Sequence, residues 1–91
     1  MMKKSSKRID YSRSFDKQLK KAPLPIKVIF RKRFELFLSN PFHPQLNNHL
    51  LTGNYKGYRS INITGDWRAL YSEDENSIIF ELLGTHSQLY K

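Results

Sequence analysis

The sequence predicts an α+β domain in the order β-α-α-β-β-β, a two-helix hairpin packed on one face of an antiparallel sheet. Apolar residues recur at helical spacing between Ser12 and Asn40, and from Tyr58 onward the pattern changes to short strand-like runs separated by turn residues. Ninety-one residues leave room for one core, so a single domain over residues 1–91 is expected. Leu, Ile, Val and Phe make up 25 of the 91 residues, above the roughly 20% below which chains tend to stay disordered.

Ile9-Asp10-Tyr11 reads as a short edge strand, and Ser12 as the N-cap of a helix running to about Lys21, with Phe15 and Leu19 on one stripe. Ala22-Pro23-Leu24-Pro25 interrupts that pattern and starts a second helix, since proline suits a first turn and not a helix interior. Its stripe is Ile26, Ile29, Phe30, Phe34, Phe37 and Leu38, with Lys27, Arg31, Lys32 and Arg33 on the wet side. Asn40-Pro41 ends it, and residues 41–57 read as a loop. Residues 58–63 and 66–71 flank Thr64-Gly65, a hairpin signal, and residues 77–83 form a third, more buried strand stopped by Gly84.

Composition narrows the function. There is no cysteine, so neither disulfides nor thiolate metal sites hold the fold. No apolar run reaches the roughly 20 residues of a membrane span, which leads us to expect a soluble, cytoplasmic protein with no membrane partner. The net charge of +8 and pI of about 9.9 point to a polyanionic partner, nucleic acid or an acidic protein. Residues 1–45 hold twelve Lys and Arg against three Asp and Glu, a net of +9, so the N-terminal half builds the basic field. Residues 1–7 are expected to form a flexible basic arm.

Three histidines occur. His43 stands in a proline-flanked loop, His49 just ahead of the first hairpin strand, and His86 beyond the last strand in Gly84-Thr85-His86-Ser87-Gln88-Leu89-Tyr90. An imidazole at a sheet edge is suited to proton transfer, because the ordinary histidine pKa of ~6.5 lets it give and take protons at neutral pH. Arg59 and Arg68 fall on adjacent strands near Tyr58, Asp66, Trp67 and Tyr71. That mixture suits phosphates and unpaired bases, although Arg59–Asp66 also reads as an ordinary cross-strand pair. No carboxylate cluster suggests a two-metal nuclease, and no glycine-rich phosphate loop is present.

The segments His49-Leu50-Leu51-Thr52-Gly53, Gly57-Tyr58-Arg59, Asp66-Trp67-Arg68-Ala69-Leu70-Tyr71 and Gly84–Tyr90 resemble the RelE/ParE toxin superfamily, and within it the YafQ-like mRNA interferases. The resemblance implies a bacterial toxin, held inactive by a cognate antitoxin, that cleaves mRNA in the ribosomal decoding site, and the residues themselves suit that chemistry without a metal or other cofactor. By position, His49 matches a YafQ-type active-site histidine, Asp66 an active-site aspartate, His86 the C-terminal catalytic histidine and Tyr90 the terminal aromatic. Arg68 is similar to the arginine that RelE and YoeB place on the same strand. YafQ-like proteins usually carry Asp and His where this chain has Ser60 and Asn62.

On that pattern the 2′-OH of the RNA attacks its own 3′-phosphate. Arg68, supported by Arg59, stabilises the phosphate; His86 protonates the leaving oxygen; His49 or Asp66 is the base; and Trp67 or Tyr90 stacks on a nucleobase. Two other functions fit the same composition: a non-enzymatic topoisomerase inhibitor of the ParE kind, and a catalytically degenerate RNA-binding member.

Overall fold

The computed structural model describes residues 7–90. Of the basic arm expected at residues 1–7, all but Lys7 lies outside the described residues; Lys7 pairs with Glu73 at 2.7 Å. No described helix is long and apolar enough to cross a membrane.

Strand β1 (Arg8–Tyr11) leads directly into α1 (Arg13–Lys21). Ser12 makes that junction. Its hydroxyl accepts from the Phe15 amide, capping the helix, and donates to the Glu81 carbonyl at 2.7 Å, pinning the cap to the sheet. Asp16 in the first turn and Lys20 and Lys21 in the last complement the helix dipole. Helix α2 (Leu24–Ser39) carries Pro25 in its first turn, where a missing amide costs nothing.

The rest of the chain is sheet. Two-residue β2 (His49–Leu50), β3 (Arg59–Asn62), β4 (Trp67–Glu73) and β5 (Ser77–Thr85) pair antiparallel in sequence, and the spatial order is β1-β5-β4-β3-β2. β1 joins β5 in parallel, so the sheet is mixed at one edge. A four-residue strand carries an alternation but no direction, and its orientation is set by the helical hairpin that follows it. Residues 41–57, expected to be a loop, contain β2 and two 3₁₀ turns, Pro44–Leu46 and Gly53–Tyr55. β5 runs through Gly84 to Thr85, and a final helical turn, α3 (His86–Leu89), follows it.

Both helices cover one face of the sheet. Phe80 lies at the centre of that layer, fully buried, with the rings of Phe15, Phe30, Phe34, Phe37 and Tyr71 at 5.5–6.1 Å. Leu36 packs against this core, whereas Leu38, expected on the apolar stripe, is about half exposed. A smaller cluster of Leu51, Leu70 and Leu89, backed by Tyr55, Tyr58 and Leu82, sits on the other face.

Candidate active site

Strand alternation sorts the candidate residues onto two faces, because successive side chains point to opposite sides. Asn62 pairs with Arg68, Ser60 with Leu70, and His49 with Ser60. These residues therefore share the face away from the helices, together with Leu51, Tyr58, Leu82 and Gly84. Arg59 pairs with Tyr71, and Trp67 with Thr85, on the helical side.

Arg68 stands on the floor of this face. Its Nη1 donates to the carbonyls of Thr64 (3.1 Å) and Gly65 (2.8 Å), which fixes the guanidinium against the β3–β4 turn. No described residue takes Nε or Nη2, so the edge of the fork that can grip two phosphate oxygens at once is open.

One wall is α3. Thr85 and Gln88 form a reciprocal capping box, and the His86 amide donates to the Asp66 carbonyl at 2.9 Å, tying the turn of β3–β4 to the start of α3. Gly84 makes the approach possible. A Cβ there would meet Gln88 Oε1 at 3.1 Å and Leu89 Cδ2 at 3.4 Å. The His86 ring lies 4.8 Å from that of Tyr90. Burial raises the Tyr90 phenol pKa, Tyr55 adds to the rise, and the positive charge of Arg68 pulls against both. Arg68, His86 and Tyr90 thus occupy one neighbourhood, with exposed Asp66 at its end.

His49 forms the opposite edge, two strand spacings or about 10 Å across from β4 and two residue pairs along from Arg68. It is exposed, and its Nδ1 lies 2.8 Å from the Asn47 carbonyl. A carbonyl only accepts, so Nδ1 is the donor, and in the neutral imidazole this tautomer leaves the lone pair on Nε2, the nitrogen a general base would use. Asn47 reaches this position through a left-handed backbone, φ 46°. Between the walls lie Ser60, fully buried, and Asn62, whose buried Oδ1 has no partner among the described residues.

Two expected residues do not belong here. Arg59 donates from Nη1 to Asn48 Oδ1 (3.1 Å) and lies over the Phe42 ring at 5.3 Å, while Asn48 Nδ2 reaches the Tyr71 hydroxyl at 2.8 Å. That network fastens the β2 edge on the helical side. Trp67 packs against the main core. The hairpin register held the signal: with Asn62 opposite Arg68, residue 59 is three positions from 62 and must face the other way. His43 accepts from the Gln45 amide and caps a turn. Tyr55, absent from the expected set, joins Tyr90 and Tyr58 on the site side. Among the described residues no three His, Asp or Glu side chains converge to hold a metal ion.

A mixed sheet with a helical hairpin on one side is also the fold of a family of bacterial toxins of type II toxin–antitoxin systems. The family model with that description, YafQ, matches residues 7–91, and the chain belongs to this YafQ toxin family. The mRNA interferase toxin YafQ of Escherichia coli K12 is 30% identical over 86 residues, 90% of this chain and 94% of that one. The crystal structure of YafQ from E. coli BL21(DE3) superposes with a TM-score of 0.82 at 27% identity, covering 94% of this chain and all of the other. YafQ in the E. coli DinJ–YafQ toxin–antitoxin complex gives 0.80 at 26% identity, over 96% and 100%.

Proposed function

We propose that this toxin is an mRNA endonuclease that works on the ribosome, in the cytoplasm, and is restrained by an antitoxin bound to it. The observation that carries the proposal is Arg68, fixed with the outer edge of its fork open, on a sheet face bounded by His49 on one side and His86 with Tyr90 on the other. The names of the relatives, an mRNA interferase and the toxin of a toxin–antitoxin complex, agree with it.

In this mechanism the 2′-OH proton passes to Nε2 of His49 and O2′ attacks the adjacent phosphorus. Arg68 takes the charge that builds on the phosphate oxygens, the P–O5′ bond breaks, and His86 protonates O5′. A cyclic phosphate and a 5′-hydroxyl result. His49 suits the base better than Asp66, which stands at the His86 end where both proton-transfer groups would be on one side. Tyr90 stacks on a base beside the scissile bond.

Ser60 and Asn62 in place of Asp and His leave few groups to do the work, so in-line alignment must come from elsewhere. Holding reactants in line supplies on the order of 7–11 kcal/mol in well-oriented systems, and a ribosome gripping the codon can provide it. Purified toxin should leave naked RNA almost untouched at concentrations that cut ribosome-bound message, and EDTA should not slow cutting where ribosomes stay intact. His86→Ala should cut roughly 10²–10⁴-fold more slowly with its fold retained. Equal cutting of both RNAs refutes the ribosome requirement. Parental rates in His86→Ala remove His86 from the mechanism, and supercoiling defects without RNA cuts would indicate a topoisomerase inhibitor instead.

A further inference from the structure

The site side of the sheet carries more aromatic surface than the cleavage step uses. The rings of Tyr58, Tyr55, Tyr90 and His86 follow one another at 6.3, 5.5 and 4.8 Å, a continuous row ending at the proposed acid. The row is held in place. Tyr55 donates its hydroxyl to the Leu89 carbonyl at 2.6 Å, the Tyr58 amide donates to the Tyr55 carbonyl at 2.9 Å, and Leu51, Leu70 and Leu89 form the bed beneath. Tyr55 and Tyr58 are half-buried and Tyr90 is 39% exposed, so each ring keeps surface toward solvent.

Beside Tyr55 and Tyr58 lies an open depression of about 400 Å³, also lined by Asn54, Lys56 and Glu81. That volume lies within the roughly 300–1,000 Å³ usual for small-ligand sites. Ser72 holds one Glu81 carboxylate oxygen at 2.7 Å. A fixed carboxylate repels phosphate but accepts from the N–H edge of a base, while Lys56 can meet the backbone.

We propose that Tyr58 and Tyr55, with Lys56 and Glu81, form a stacking subsite for unpaired nucleobases of the substrate RNA, continuing from Tyr90 away from the scissile bond. Every base has a π-face, so the row would tolerate many sequences and contribute affinity along the strand. The subsite rests on the proposed reading of this chain as an RNA-cutting toxin, but it makes its own demand, that binding grow with strand length.

The test is fluorescence anisotropy with labelled 2′-O-methyl oligoribonucleotides of three and six nucleotides, which bind but cannot be cut. Stacking contributes roughly five- to a hundredfold per base, so the wild-type protein should bind the six-mer at least about fivefold tighter. Tyr58→Leu should lose that gain and Tyr58→Phe keep it. A six-mer with abasic residues in its outer half should behave as the three-mer with the wild-type protein, a comparison that needs no variant to fold. Equal affinity for both lengths, an undiminished gain in folded Tyr58→Leu, or a gain that survives abasic substitution overturns the subsite. A length-dependent gain in a protein that fails to cut ribosome-bound message supports the subsite and counts against the nuclease mechanism alone.

Discussion

Arg68 and Gly84 face each other across β4 and β5, and each works through what it leaves open. Arg68 spends one nitrogen on two turn carbonyls, and its outer edge has no partner among the described residues. An ammonium would retain the charge without the planar fork, so Arg68→Lys should lose most of the single-turnover cleavage rate on ribosome-bound message while melting near the parental temperature. Gly84 lets α3 lie close over the strand. In Gly84→Ala the new methyl meets Gln88 Oε1 at 3.1 Å, so the capping box and His86 must shift by a few tenths of an ångström. Overpacking of this kind costs about 1–3 kcal/mol. Misplacing a reacting group can cost up to roughly 10²-fold in rate. Activity should therefore fall together with a modest loss of stability, and parental kcat in this variant would show that α3 tolerates the displacement.

At the scale of elements, the turn between β4 and β5 fixes the strand that carries both Phe80 and Gly84. Asp74 Oδ1 accepts from the amides of Asn76 and Ser77, each at 2.8 Å, and from the Ser77 hydroxyl at 3.2 Å. Those backbone bonds hold its carboxyl below the usual carboxylate range. A depressed folded pKa stabilises the native state at pH above the unfolded value, and that contribution is lost as pH falls through the folded one. Asp74→Asn keeps an acceptor without the titrating charge, so the acid side of its pH–stability profile should be flatter than the parent's. Urea unfolding midpoints across the acid range measure this, and superimposable slopes would remove Asp74 from the acid response.

For the whole molecule the governing feature is polarity. The first 45 residues carry a net +9, while the rest carry four basic and five acidic side chains for −1. The helical hairpin, residues 13–39, holds eight basic side chains against two acidic ones, a net of +6, and presents Lys20, Lys27 and Arg31 around exposed Val28 and Leu38. Under the proposed restraint by an antitoxin, an acidic partner approaching this surface would be steered by the field, and salt would screen that steering. Its association rate should fall steeply with ionic strength, and Lys20→Glu combined with Lys27→Glu should slow association more than dissociation in stopped-flow measurements. A rate indifferent to salt would mean that apolar contact, not charge, brings the pair together.

Local patterning determined the helices, the hairpin strands and the charge separation, because spacing, caps and turn residues act over a few positions, whereas His49, Asp66, Arg68, His86 and Tyr90 became candidates together through the resemblance of their motifs to a family. The same strand alternation placed Arg59 and Trp67 on the helical side, but that could be seen only with the register fixed, since a one-residue slip exchanges the two faces. Tertiary structure alone decided the rest. The parallel seating of β1, the pairing of two-residue β2 that positions His49, and the folding of α3 over Gly84 beside Arg68 all depend on partners far away in sequence. So does the tyrosine row, which joins residues 55, 58 and 90. Short elements carry too little local preference to fix their own position, and the sheet to which they dock supplies it.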